Sequence, residues 1–481
     1  MLNVTGLEDK GLRVGWGIED ITPAGPASLY GQYYERISQY VESPLKVTAC
    51  CIEWASEKGG SELAIMVSMD LLCSLKALQD RLKDMLRRQV PELDVQKLFL
   101  NATHTHSAPY PDVNSDFGEL LLNRLCKAVI TAWNNREPAG ISWGLEYAVT
   151  GHNRRVQYAD GTTEMYGATD RPDFIGLEGP GDPGVGMLFC WNLTGELTGV
   201  IMNVATPAQV VEAKYFISAD YWSEVRKQFR MRFARDIFVL AQCGAAGDIS
   251  PRDLSRGYKT GEPNMWDTDG IGEIGRRVFQ AAMNAYGEAK KNIKTSIVFR
   301  HVVKDLYIPT RIVHKKEYEE ALAVVKEINS REPKDPASPG TAWNRFLEEI
   351  EHNEKIKAYG PWDNKNSDYG IIRKKQAVVE QYQHQEANPY YVMELHVIRL
   401  GDVVIASNSF ELFVDYGLNI MGRSKANLTF IVQLSCDYND YLPTERAIQG
   451  GGYSAMANPV GPVGGKVLVD ETVALINSMW E

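Results

Sequence analysis

At 481 residues, with 44% hydrophobic, 10% aromatic and 23% charged side chains, the chain can build a large core and is too apolar for a disordered segment. Its 51 basic and 62 acidic residues leave a formal charge of −11, which argues against nucleic acid or an anionic membrane as partner, since both need a dense basic surface. No apolar run approaches the ~20 residues that cross a bilayer, so no integral membrane segment is expected.

The first ten residues, Met1 to Lys10, show neither a basic start nor an apolar stretch, so no secretory leader is expected and the chain reads as cytoplasmic. Leu63–Asp70, Lys97–Ala102 and Ile237–Gln242 are short apolar runs of the kind that make buried strands. Between them, Leu75–Val90 and Glu119–Trp133 have helical spacing, with Leu121, Leu125, Val129 and Ala132 on one face of the second. Strands alternating with helices predict an α/β arrangement with layered sheets. From Lys315 to Glu386 the pattern changes to a charged surface helix at Lys316–Glu327, a turn-rich stretch at Glu332–Gly340 and a second charged helical piece at Phe346–Ile350. This stretch reads as a helical insertion. Apolar strands resume at Val392–Ile398 and Val403–Ala406, and the glycine-rich loop Gly450–Gly452 precedes a short last helix. The seven cysteines are odd in number, scattered and without CxxC spacing, so they predict neither a disulfide framework nor a cysteine zinc site.

The sharpest chemical signal is Asn101-Ala102-Thr103-His104-Thr105-His106-Ser107-Ala108-Pro109, which follows a strand-like run. On an extended segment residues i and i+2 point the same way, so His104 and His106 can face one pocket as metal ligands or proton-transfer groups. The bland reading is two polar side chains bonded to backbone at a strand end. Gln242-Cys243-Gly244-Ala245-Ala246-Gly247-Asp248-Ile249-Ser250-Pro251 offers small residues for close backbone approach and Ser250 as nucleophile or orienting hydroxyl; the alternative is a tight turn in which Asp248 bonds its own backbone. In Gly151-His152-Asn153-Arg154-Arg155 the paired arginines suit a carboxylate or an oxyanion, or simply solvent. Glu411 stands before an apolar helix as a helix N-terminal acid or a metal ligand, and Tyr441 and Tyr453 lie in the late loops.

Together and in this order, these segments resemble the N-terminal catalytic domain of the neutral (non-lysosomal) ceramidase family. The resemblance rests on Val14-Gly15-Trp16-Gly17-Ile18-Glu19-Asp20-Ile21-Thr22-Pro23, Thr103–Ser107, Asn153-Arg154, Ile217-Ser218-Ala219-Asp220, Gly247-Asp248-Ile249-Ser250-Pro251, Glu411, Tyr438–Thr444 and Gly452-Tyr453. It covers most of the chain outside the helical stretch. It implies an α/β fold, a layered α-β-β-α sandwich of mixed sheets flanked by helices. Residues 1–481 would form a single catalytic domain, with 315–386 as an insertion and no C-terminal sandwich domain. It also implies a hydrolase that cleaves an N-acyl amide with metal-activated water. In that scheme His104, Glu411 and Tyr441 hold zinc, with Tyr438 the alternative to Tyr441. His106, Arg154 and Tyr453 stabilise the oxyanion, and Ser250 lies at the scissile amide.

The chain departs from the family where a further histidine ligand is expected: Pro207 stands near that position, with Gln209 or Glu212 as the residues that would compensate. A second reading keeps the fold but hydrolyses another bond, such as a glycosidic one, without metal, using Asp70, Asp220, Asp248 or Glu411 as acid and base. Both readings imply a small-molecule substrate. The sequence leaves open whether the protein is a homo-oligomer.

Overall fold

In the computed structural model the alternating apolar runs and amphipathic segments fold into two mixed β-sheets, stacked face to face with helices on both outer sides. The structure describes residues 11–32, 36–55, 61–255, 265–331, 368–456 and 458–481. The larger sheet contains β1 (Gly11–Asp20), β2 (Lys46–Ala55), β3 (Ser61–Met69), β4 (Leu98–Ala102), β5 (Glu137–Tyr147), β6 (Gly184–Asn192), β7 (Leu197–Val204) and β8 (Phe238–Cys243). Their spatial order is β8-β7-β6-β5-β1-β2-β3-β4, with β3–β4 and β7–β8 parallel and the other pairs antiparallel. The smaller sheet runs β9 (Phe299–Pro309), β10 (Tyr390–Leu400), β11 (Val403–Ser407) and β12 (Leu428–Val432), with only β11–β12 parallel.

The central strands are buried on both faces. Along β2, Val47, Ala49 and Cys51 enter a core shared with α1 (Lys76–Gln89) and α2 (Asp116–Asn134), while Cys50 and Ile52 enter the core between the sheets. β3 divides the same way, with Ile65, Val67 and Met69 against the helices and Ala64 and Met66 against the second sheet. A period of two with apolar surroundings on both sides is why these strands read as unbroken apolar runs.

Helix α2 begins where Ser115 Oγ accepts the Gly118 N–H at 3.0 Å, with Asp116 and Glu119 in the first turn facing the positive end of the dipole. Its buried face is the expected one, Leu121, Leu125, Val129 and Ala132, at roughly 2 kcal/mol for each buried leucine. The helix crosses β1 over the Gly15-Trp16-Gly17 segment. A Cβ on Gly17 would lie 2.0 Å from the Ala128 carbonyl oxygen, so only glycine lets the helix descend onto the strand. Helices α3 (Tyr221–Phe233) and α4 (Thr268–Lys291) cover the β6–β8 half of the same sheet.

Within the expected helical stretch, α5 (Lys315–Arg331) and α6 (Asp368–His384) pack on each other through Ala321, Val378 and Val379, and the Tyr318 and Tyr382 rings stack at 4.2 Å. The turn-rich stretch at 332–340 and the helical piece at 346–350 lie outside the described residues. Helices α7 (Val414–Arg423) and α8 (Gly461–Ser478) close the outer face of the smaller sheet. At 18 residues α8 is longer than the short last helix expected, and its proline sits in the first turn, where no N–H is needed. The seven cysteines are buried and unbridged. Among the described residues no helix is long and apolar enough to cross a membrane.

Candidate active site

The loops that follow the strands bring the sequence's candidate residues to one cavity of about 230 Å³, whose walls include His104, His106, Arg154, Glu411, Tyr441 and Tyr453. His104 and His106 leave the end of β4. The segment is not extended there as the i, i+2 argument assumes: His104 has φ 67°, in the left-handed region that a histidine enters at a cost. The turn still brings the rings edge to face at 4.9 Å, with the two Nε2 atoms 3.4 Å apart. Arg154 follows a two-residue antiparallel bridge between His152–Asn153 and Ile249–Ser250. Glu411 and Tyr441 are direct neighbours across a parallel bridge, Glu411–Leu412 against Tyr441–Leu442.

His104 Nδ1 lies 2.8 Å from the Leu72 carbonyl, which can only accept. The ring therefore carries its proton on Nδ1 and turns an unprotonated Nε2 toward Glu411 Oε2 at 3.6 Å. Burial lowers the His104 pKa and outweighs the opposing pull of Glu411. Burial, aided by His104, Arg36 and Arg154, places His106 well below its ordinary value, so both rings are neutral at pH 7. Arg154 is almost wholly buried, yet Tyr166, Tyr453, Tyr441 and Glu411 more than offset the desolvation of its charge. Its NH1 donates to Tyr166 at 2.8 Å, and its NH2 donates to the Gly247 carbonyl at 2.8 Å and to Tyr441 at 3.3 Å. Tyr453 and Tyr441 share a hydroxyl contact of 3.1 Å, and Tyr438 donates to Glu411 Oε1 at 3.0 Å. Burial and Glu411 raise the Tyr441 phenol well above its ordinary value.

An unprotonated imidazole nitrogen facing a carboxylate oxygen is an arrangement that a shared cation satisfies. His104 Nε2 and Glu411 Oε2, with Tyr441 paired beside Glu411, could hold a metal ion, although two oxygens in the set make it hard for zinc. Among the described residues, a trio of histidine, cysteine and carboxylate donors close enough for one ion occurs elsewhere, at Glu394, His396 and Cys436. There Lys83, Gln79 and His396 all converge on Glu394 Oε1, each at 2.7 Å.

Other candidates are placed differently. Ser250 is buried behind the wall, where it bonds Tyr166, and is not among the lining residues. Arg155 turns away to a buried ion pair with Glu178, Nε to Oε2 at 2.6 Å. Three of the four carboxylates proposed for acid and base chemistry hold the framework. Asp70 pairs with Arg226 at 2.7 Å, Asp220 caps α3 by accepting the Tyr221 N–H at 2.8 Å, and Asp248 accepts from Val414 N at 2.8 Å and Asn153 Nδ2 at 2.7 Å. Of that set only Glu411 reaches the cavity.

The sequence underrated the opposite wall. Gln209 and Glu212, in the loop after β7 where the family's further histidine is expected, both line the cavity beside His106. Their signal was the three-residue spacing, which one turn of chain converts into adjacent side chains. Tyr30, Tyr166 and Asp440 also line it, and Asp440 is shared with a neighbouring cavity of about 520 Å³ walled largely by α6. From the same helix, the Lys374 ammonium stands 5.3 Å over the Tyr453 ring.

No family model matches the sequence, and no curated protein matches it. Solved structures do. One described as a ceramidase complexed with C2 superposes with a TM-score of 0.66 at 17% identity, covering 97% of this chain and 75% of that one. The neutral ceramidase of Pseudomonas aeruginosa gives a TM-score of 0.67 at 18% identity, with 98% and 75% covered. The chain therefore has a neutral ceramidase-like fold, in a form divergent in sequence.

Proposed function

We propose that the chain is a ceramidase-like hydrolase that cleaves an N-acyl amide of a small-molecule substrate in the cavity around His104. The reading is supported above all by the convergence of His104, Glu411, Tyr441, Arg154, His106 and Tyr453 on one space, on a fold of this kind. His104, Glu411 and Tyr441 would hold zinc, which would supply a Lewis acid and lower the pKa of water to about 7.

The chain's own residues supply the rest. The Leu72 carbonyl fixes the His104 tautomer, and Tyr438 orients Glu411. Arg154 is clamped by the Gly247 carbonyl and Tyr166, so its charge is already in place when an oxyanion develops on the acyl oxygen. Tyr453, held by Tyr441, is the hydroxyl donor beside it. Each such preorganised donor contributes about 3 kcal/mol to the transition state. His106 fills the side toward Gln209, and Ser250 acts through Tyr166 and not directly on substrate. The chain is proposed to form one catalytic domain, with 315–386 as an insertion whose helix α6 helps wall the entrance.

Elemental analysis of the purified chain, combined with a screen of N-acyl amides and glycosides, tests this reading. The expected result is stoichiometric metal and amide hydrolysis that is lost on chelation and in His104→Ala. Glycoside cleavage that survives chelation contradicts it.

A further inference from the structure

The side of the cavity where Pro207 replaces the expected histidine is built as a second polar centre. Glu212 is 3% exposed and lines the cavity. Its Oε2 accepts from Gln209 Nε2 at 2.8 Å and faces His106 Nδ1 at 3.4 Å. The Gln209 amide is oriented from behind, because Arg154 NH1 donates to its Oε1 at 3.4 Å, which turns the NH₂ group toward Glu212 and His106. The Glu212 backbone is anchored in turn, its carbonyl accepting from Gln32 Nε2 at 3.0 Å. All this engages one carboxyl oxygen. The other, Oε1, is buried and makes no hydrogen bond of its own, with the Gln32 side chain alongside. Oε1 is thus engaged by Gln32 alone, and less closely than Oε2 is by Gln209, which leaves it the oxygen with room for a further partner. Burial, opposed by Arg154, Arg36, Gln209 and Gln32, pushes the group up to about 7, where it both gives and takes a proton at neutral pH.

Resting on the amide-hydrolase reading, we infer that Glu212 is the proton-transferring residue of this cavity and that its Oε1 serves the scissile amide of a small, polar N-acyl substrate. Among the described lining residues Leu72 is the one aliphatic side chain, and most of the rest carry a phenol, imidazole, amide or charged group, a lining that suits a small polar substrate. As the water oxygen bonds to the acyl carbon, one water proton passes to Glu212 Oε1. The C–N bond then breaks with its electron pair going to nitrogen, and Oε1 returns that proton to the nitrogen. The second water hydrogen stays on the new carboxylic acid, the amine leaves, and Glu212 ends as it began.

The test compares wild type with Glu212→Gln, both supplied with zinc, on p-nitroacetanilide and on N-acetylbutylamine across pH 5 to 9. An alkylamine cannot leave without a proton, whereas p-nitroaniline is far less demanding. Glu212→Gln is expected to lose about 10²–10⁴-fold in kcat/KM on the alkylamide, with a distinctly smaller loss on the anilide, and to lose the pH limb near neutrality. Glu212→Asp is expected to recover part of the activity and, should the glutamine variant fail to fold, to show the same unequal loss on the two substrates. Equal activity and the same pH profile in wild type and a folded Glu212→Gln overturn the assignment, as does an equal loss on both substrates, which marks a merely structural residue. Wild-type inactivity on both amides, with metal bound, overturns the amide reading itself and this assignment with it.

Discussion

Two regions of the molecule are built from nearly the same parts, a pair of histidines and a glutamate, and both border a cavity, yet their polar atoms are satisfied to different degrees. In the first, His301 Nδ1 bonds the Leu63 carbonyl at 2.8 Å, His301 Nε2 meets His396 Nδ1 at 2.9 Å, and His396 Nε2 meets Glu394 at 2.7 Å. Lys83 closes the chain on the same carboxylate, and the side chains of His396 and Glu394 find their partners inside the protein. In the second, His104 meets Glu411 at 3.6 Å and His106 meets Glu212 at 3.4 Å, contacts too long for good hydrogen bonds. These four side chains line the cavity, where Arg154 NH2 at 3.7 Å from Glu411 Oε2 and Gln209 Nε2 at 2.8 Å from Glu212 Oε2 are their further neighbours. A saturated network holds two sheets in register; an unsaturated one waits for a ligand.

Four substitutions sharpen or break that contrast. His104→Ala should remove the nitrogen donor from the cavity and cost several kcal/mol of barrier, roughly 10³-fold in kcat/KM, with a smaller loss of stability from the unpaired Leu72 carbonyl. Lys83→Met should do the reverse. Glu394, held down to about 2 chiefly by His396 and Lys83 against its burial, loses a buried partner, so stability should fall by about 3 kcal/mol in chemical denaturation while activity per folded molecule is kept. Tyr453→Phe should cost about 10²-fold in kcat with little change in KM, as expected for a donor that matters in the transition state.

The last effect is one of pH, spread over several units and so small at any one step. Glu212 is raised from 4.5 to about 7 in the folded chain, so the folded state prefers its protonated form. That contribution is fully present below pH 4.5 and is lost as pH rises through 7, up to about 3 kcal/mol in all. Thermal unfolding should therefore show Glu212→Gln gaining on wild type between pH 5 and pH 8. A constant difference across that range would show that the carboxyl does not titrate in the folded protein. Asp220 and Asp248, raised to about 7 and about 6, add losses of the same sign in both proteins and cancel from the comparison.

The layered α/β architecture was legible because strands buried on both faces, such as β2 and β3, write continuous apolar runs, and because α2 repeats leucine at helical spacing. The His104–His106 segment was legible because two imidazoles in one tripeptide are conspicuous, although the argument from an extended strand failed at the turn that His104 makes. Ser250 does not reach the cavity: of its neighbours, the Gly247 carbonyl accepts from Arg154 and the Asp248 carboxylate accepts from the Val414 N–H. Glu212 was hard to read because its three-residue spacing from Gln209 makes the two neighbours but does not say what they face. Only the fold tells that Gln209, Arg154 and His106 close around it.

The central claim is that the open site is a hydrolytic one, and carboxylate release from short N-acyl amides by the zinc-supplied chain measures it directly. The expected result is turnover by wild type that falls about 10³-fold in His104→Ala. Equal turnover in the two proteins, or none in a metal-bound wild type, would contradict it.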